Sequence, residues 1–263
     1  MVEGMNTYTP KHTRHSHVLI RMMTKDDIPK IVELQKIAFP LMAAEGVYWK
    51  PKQLESHLEI FPQGQFVAEY RGKIVGSCSS LIIQLKSEYE EHTWKEACGD
   101  SFFKNHNPNG DTLYGADVSS HPDHRRLGVA TKLYDARKAL AKKLNLRRII
   151  AGARLFNYCE HAKELSPLEY VNKVKRREIK EPVLSFQLRN GFKFIKILPN
   201  YMKDARSLNN ATFIEWKNPH FVEKLLQDGH TIANHTMNHK IITKLSREES
   251  INEIQSLNDL LKD

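Results

Sequence analysis

Arg125, Gly128 and Ala130 stand at the spacing R-x-x-G-x-A within His121-Pro122-Asp123-His124-Arg125-Arg126-Leu127-Gly128-Val129-Ala130-Thr131. Such a loop binds anions when a helix begins inside it. The first backbone N–H groups of a helix have no internal partner and the helix dipole is positive at that end, so a phosphate docks without needing a side chain. Gly128 lets the ligand approach the backbone closely. A second chemical feature lies just upstream, where Asp117 interrupts the largely apolar run Thr112-Leu113-Tyr114-Gly115-Ala116-Asp117-Val118-Ser119. That acid is either a proton acceptor beside the anion site or a sheet-edge aspartate paired to a lysine.

The loop does this work only between a strand and a helix. Residues 112–119 read as the strand; after the loop, Val129, Leu133, Ala136, Leu140 and Leu144 fall on one helical face at spacings of four and three. In that setting the loop resembles motif A of the GCN5-related N-acetyltransferases (GNAT), whose Q/R-x-x-G-x-G/A sequence binds the pyrophosphate of acetyl coenzyme A. The upstream His121-Pro122, a strand at Arg147-Arg148-Ile149-Ile150-Ala151-Gly152-Ala153 and the later Asn190-Gly191-Phe192 follow the family's order. The resemblance covers about residues 17–217. It is strongest to the acetyltransferase modules fused to carbon–nitrogen hydrolases, through Tyr48-Trp49-Lys50-Pro51, Leu58-Glu59-Ile60-Phe61-Pro62, Asn157-Tyr158 and Leu198-Pro199-Asn200-Tyr201.

The resemblance implies an α/β (α+β) GNAT fold, a mixed central sheet flanked by helices. It implies acetyl-CoA as cosubstrate and direct attack on it by a primary amine of a small molecule or peptide. Val118, Ser119 and Ser120 would pair by their backbones with the pantetheine arm; Arg125, Arg126, Gly128, Val129, Ala130 and Thr131 would hold the pyrophosphate; Asn157 would lie near the arm. One strand N–H would polarise the thioester carbonyl. Asp117 stands where many relatives carry a glutamate, which makes it the candidate base. The tyrosine that relatives place five residues before the phenylalanine of the Gly-Phe pair is Gln187 here. Tyr158 or Tyr201 would have to replace it as general acid, with packing as the other role open to each. A non-catalytic acyl-CoA sensor is the alternative function.

The chain has 263 residues, 40% hydrophobic and 27% charged, with a net charge of +9. No apolar run reaches the ~18 residues of a membrane span and no apolar leader opens the chain, so the reading is cytoplasmic with no membrane partner. Cys78, Cys98 and Cys159 are scattered and odd in number, which fits reduced thiols and gives no metal spacing. Between Arg125 and Arg148, nine Lys and Arg residues face one acid, Asp135. That run either steers an anionic cofactor or is a solvated helix face; aromatic residues are not interleaved with it, so no nucleic-acid role is expected.

Residues 17–22 read as a first strand, Thr24 to Leu34 as a capped helix, and 65–70 with 74–82 as a hairpin around Arg71-Gly72-Lys73. Two insertions, 84–111 and 159–183, are expected over the acceptor side of the sheet as substrate elements or plain lids. Residues 1–16 are expected to be a flexible arm. Residues 218–263 resemble part of a polysaccharide deacetylase (NodB-like) domain, where His235, Thr236 and His239 match a metal-site motif. The Thr-Phe-Asp-Asp-Gly strand that supplies that family's aspartates is absent, so the tail reads as a short appendage without a metal site. It is expected to pack on the acetyltransferase surface, between the subunits of a homodimer, or to stay mobile; a bifunctional protein with a working deacetylase portion is the alternative.

Overall fold

The computed structural model describes residues 17–221, together with 246, 248–252 and 255. The chain divides into two compact units, Met1–Asn218 and Pro219–Asp263. The first is built on one seven-stranded sheet in the order β1-β2-β3-β4-β5-β7-β6. Strand β1 (Leu19–Met22) leads into α1 (Ile28–Ala38), and α2 (Pro40–Ala44) and α3 (Pro51–Ile60) follow. Asp27 starts α1: its carboxylate accepts from the Thr24 N–H at 2.9 Å and is gripped by Arg21 at 2.6 and 2.8 Å. The hairpin β2 (Gln65–Tyr70) and β3 (Lys73–Ile83) precedes a first insertion that contains α4 (Trp94–Ala97). Then come β4 (Thr112–Ser120), α5 (Val129–Lys143), β5 (Arg148–Arg154), α6 (Pro167–Lys175), α7 (Pro182–Arg189), β6 (Lys193–Leu198) and β7 (Ala211–Lys217).

Side chains alternate across each strand, so neighbours serve opposite cores. Tyr114, Ile150 and Phe213 join a cluster with Ile28 and Ile31 of α1, Leu54 of α3 and Ala97 of α4. Leu113, Ile149 and Ile214 join another with Tyr134 and Leu140 of α5, Val171 of α6 and Leu184 of α7. The sheet is therefore a middle layer between two helical layers. The two insertions, expected together over the acceptor side, fall on opposite faces of the sheet: the first supplies Ala97 and Phe103 to the α1 cluster, whereas Tyr170, Val171 and Val174 of α6 are buried in the α5 and α7 layer. An amphipathic helix goes where apolar surface is open to it, and that surface is on this side. Ser166 caps α6, with its hydroxyl at 2.6 Å from the Glu169 carboxylate.

Two glycines set how closely the layers approach. At Gly76 on β3, an added Cβ would stand 2.4 Å from Cγ1 of Val129 and 3.1 Å from Cδ1 of Leu133. The start of α5 rests directly on β3 because that Cβ is missing. On β5, the Tyr201 ring occupies the space over Gly152, and the Tyr201 hydroxyl meets that of Tyr114. Among the described residues, no helix is long and apolar enough to cross a membrane.

Candidate functional site

The loop before α5 takes two left-handed residues, Arg126 at φ 71° and Gly128 at φ 74°. Gly128 is the N-cap, and the first bond of the helix runs from the Lys132 N–H to the Gly128 carbonyl at 2.9 Å. The N–H groups of Val129, Ala130 and Thr131 precede that bond and point out of the helix end. Val129 turns its side chain into the sheet, while Arg125, Arg126, Leu127 and Gly128 are exposed. A Cβ on Gly128 would meet nothing within 4 Å. The glycine is thus required by its backbone angle, and the space in front of it is open.

Beside the loop the sheet splits. β4 and β5 pair in parallel only at Thr112↔Arg148, Leu113↔Ile149 and Tyr114↔Ile150. Beyond Tyr114, β4 stays with β3 while β5 continues with β7. The edge of β4 that carries Val118, Ser119 and Ser120 consequently has no pairing with β5. A bulge reinforces the split: Ser79 pairs with Asp117 but Ser80 pairs with Gly115, leaving Ala116 as the extra residue. The Trp94 indole N–H takes the Ala116 carbonyl at 2.9 Å.

The bulge also decides where Asp117 points. With strict alternation, residues 114 and 116 would face α1 and residue 117 would face α5. The extra residue turns Asp117 to the α1 face instead. There it is half-buried, with one carboxylate oxygen accepting from the Ser79 N–H at 3.1 Å and the other from Gln35 Nε2 at 3.2 Å and the Ser119 hydroxyl at 3.1 Å. Gln35 is itself held, its Oε1 accepting from the Trp49 N–H at 2.8 Å. Burial pushes the Asp117 carboxyl above the usual aspartate range, opposed by its hydrogen bonds with the Trp49, Ser119 and Ser79 groups and by the charge of Arg137. These neutral donors and that arginine stand where the sequence left a lysine partner open.

Arg137 belongs by sequence to the basic residues of the α5 face, yet it is 2% exposed and lies beneath the bulge. Its Nε donates to the Ser80 hydroxyl at 2.8 Å, and Nη2 donates to the carbonyls of Ser79 at 3.0 Å and Asp117 at 2.8 Å. Arg148 is likewise interior, ion-paired to Glu215 at 3.1 Å and Glu88 at 3.0 Å. Lys138 donates to the Asn190 carbonyl at 2.8 Å. The basic run is therefore partly structural; Arg125, Arg126, Lys132, Lys142 and Lys143 are its exposed members.

Tyr158 is buried in the α5–α7 core with its hydroxyl donating to the Leu165 carbonyl at 2.9 Å. That bond and its edge contact with Tyr170 hold its ring within this core. Tyr201 is buried too, against Tyr114. Gln187 reaches the Tyr134 hydroxyl at 3.2 Å. Asn157, just past β5, accepts from Arg206 at 2.8 Å. His235, Thr236 and His239 lie outside the described residues, among which no cluster of three or more His, Cys, Asp or Glu is placed to hold a metal.

Residues 28–158 match the acetyltransferase (GNAT) family, and residues 193–263 match the polysaccharide deacetylase family. The second match begins at the first residue of β6 and takes in β7, strands that pair within the acetyltransferase sheet. The chain is 41% identical over 251 residues to the probable hydrolase YhcX of Bacillus subtilis, covering 94% of this chain and 48% of the relative. It thus spans about half the length of that protein. It is 38% identical over 199 residues to the uncharacterized N-acetyltransferase YkwB of the same organism, covering 76% of this chain and 88% of the relative. Among solved structures, the loading GNATL domain of CurA from Lyngbya majuscula matches 78% of this chain and 99% of its own length, with TM-score 0.66 and 20% identity. The GphF GNAT-like decarboxylase matches with TM-score 0.65 and 20% identity over 76% of this chain and 99% of its own. The chain belongs to the GNAT acetyltransferase family, and its C-terminal part carries a polysaccharide deacetylase match.

Proposed function

We propose that the protein transfers an acetyl group from acetyl-CoA to a primary amine by direct attack. The observation that carries this reading is the pairing of an open helix N-terminus, with Gly128 at φ 74°, and a β4–β5 gap that starts after Tyr114. The two features suit the two ends of one ligand. The N–H groups at Val129, Ala130 and Thr131 suit the pyrophosphate, with Arg125 and Arg126 adding charge in front of them. The free edge at Val118, Ser119 and Ser120 suits the pantetheine amides, which extend the sheet as a strand would. Asn157, just past the end of β5, is the further residue we assign to the pantetheine arm.

On this reading the amine nitrogen attacks the thioester carbonyl carbon, the carbon–sulfur bond breaks, and the coenzyme leaves as a thiolate that takes up a proton. The amine must first lose its own proton, and Asp117 is the group we assign to receive it. A raised carboxyl is a stronger proton acceptor than an ordinary aspartate, and the bulge aims this one at the α1 face. Tyr158, fixed to the Leu165 carbonyl, is given no proton to move.

A panel of primary amines, from polyamines and amino sugars to peptides with free N-termini, incubated with acetyl-CoA and followed by thiol release, tests the reading. Amine-dependent thiol release is expected. Tight acetyl-CoA binding with no amine turned over would favour a sensor instead.

A further inference from the structure

We propose that Arg137 is a positioning residue for the transfer centre, its guanidinium holding the β3–β4 bulge in the form that turns Asp117 toward α1. This rests on the reading of Asp117 as the proton acceptor.

The bulge disrupts the ladder at Ser79 and Asp117, and the structure gives three backbone groups there side-chain partners. The Ser79 N–H goes to the Asp117 carboxylate at 3.1 Å. The Ser79 carbonyl and the Asp117 carbonyl both go to Nη2 of Arg137, at 3.0 and 2.8 Å. Nε of the same guanidinium takes the Ser80 hydroxyl at 2.8 Å. A planar fork with several fixed donors can bind both strands of a bulge at once, which a lysine ammonium does less well. Gly115 makes room for it: an added Cβ there would stand 2.9 Å from Arg137 Nη1. A buried cation without a carboxylate bonded to it is costly, so its retention under this one irregularity needs a reason. Turning the acid is that reason.

Arg137 also sets a distance. It lies nine residues after Gly128 in α5, about 13 Å along the helix axis at 1.5 Å per residue. One rigid element thus carries both the anion cradle at its start and the clamp on the bulge two and a half turns later. A reaction that needs its base placed to within about 1 Å gains from a single spacer between cofactor anchor and reacting centre.

The charged and titratable groups around Asp117 are few. Arg137 faces it from α5, Cys78 from β3 and Cys98 from the segment after α4; burial holds both thiols neutral, Cys78 at about 11 and Cys98 well above the ordinary range. Gln35, Trp49, Ser79 and Ser119 are neutral donors. Arg137 is therefore the cation whose removal moves the acid, and the sign is fixed: losing a positive neighbour disfavours the carboxylate and raises its midpoint.

The test follows the Asp117 carboxyl by carbon-13 NMR of aspartate-labelled protein against pH, the resonance being assigned by its loss in Asp117→Asn. In Arg137→Gln the midpoint is expected to move to higher pH. Arg137→Lys keeps the charge and should return the midpoint toward wild type, yet leave the Ser79 and Asp117 amides faster in hydrogen exchange than in wild type. An unmoved Asp117 midpoint in folded Arg137→Gln, or wild-type exchange at the bulge, would overturn the proposal. If Arg137→Gln does not fold, Ser80→Ala keeps the cation and removes only the Nε partner, so the Ser79 and Asp117 amides should exchange faster than in wild type with the midpoint little moved; wild-type exchange there overturns the proposal as well. Loss of the base reading looks different: Asp117→Asn would keep full amine acetylation while the Arg137 variants still move the Asp117 midpoint.

Discussion

Asp117 is worth asking about as a single side chain, because its surroundings pull in two directions. Burial raises its carboxyl, whereas the Ser79, Gln35 and Ser119 donors and the Arg137 charge favour the ionised form. Asp117→Asn keeps the size and still accepts hydrogen bonds through its carbonyl oxygen, but it cannot take a proton. The expected result is a fall in amine acetylation of about 10² to 10⁴ with acetyl-CoA affinity retained; steady-state rates set beside calorimetry check it, and a wild-type rate from pH 6 to 9 would leave Asp117 a structural acid. His57 makes a separate residue-scale prediction. It is stacked on Phe103 with ring centroids 3.6 Å apart, and burial lowers its pKa to about 4. The unfolded chain binds that proton near pH 6.5 and the folded chain does not until about pH 4, so stability rises with pH across this window and is lost as pH falls through it. Denaturant unfolding at pH 5 and 7.5 should show a larger loss in wild type than in a folded His57→Leu variant; equal losses would mean that His57 is not the cause.

At the scale of elements, α5 is the piece on which the site depends, and Gly76 controls its seat. Gly76→Ala would drive a Cβ against Val129 and Leu133, so a destabilisation of about 1–3 kcal/mol is expected together with weaker acetyl-CoA binding as the helix start shifts. Thermal unfolding and calorimetry read both, and a variant of wild-type stability would mean that α5 lifts at no cost. Much of this layer is legible in the sequence. The strand before the loop, the periodic face of α5 and the glycine at its N-terminus have local signals, since periods of 2 and 3.6 are set by backbone geometry. The bulge has none, because one extra residue at Ala116 shows only when β4 is paired with β3. The burial of Arg137 is hidden for the same reason: a basic residue in an amphipathic helix reads as solvated until its neighbour across the sheet proves to be a disrupted ladder. The face chosen by α6 is equally unreadable, as its Tyr170, Val171 and Val174 stripe specifies apolar contact and not which apolar surface supplies it.

For the whole molecule, the central question is how two family patterns share one chain. The first compact unit ends at Asn218, just after β7, while the deacetylase match runs from residue 193 to 263. Truncation separates them: the chain ended after Asn218 should bind acetyl-CoA with the affinity of the full chain, as every element around the gap lies within 17–218. Weaker binding would show that the tail completes the site. Stoichiometric zinc or nickel in the full chain, lost in His235→Ala together with release of acetate from N-acetylglucosamine oligomers, would make the protein bifunctional. The acetyltransferase reading stands on the helix end at Gly128, where a Cβ meets nothing within 4 Å and φ is 74°. A glutamate there costs about 1–2 kcal/mol in backbone strain, too little to unfold a domain of this size, but it places a side chain and a negative charge where the pyrophosphate would lie. Titration of acetyl-CoA into folded Gly128→Glu by calorimetry is the most direct test: loss of binding is the predicted result, and unchanged affinity would contradict it.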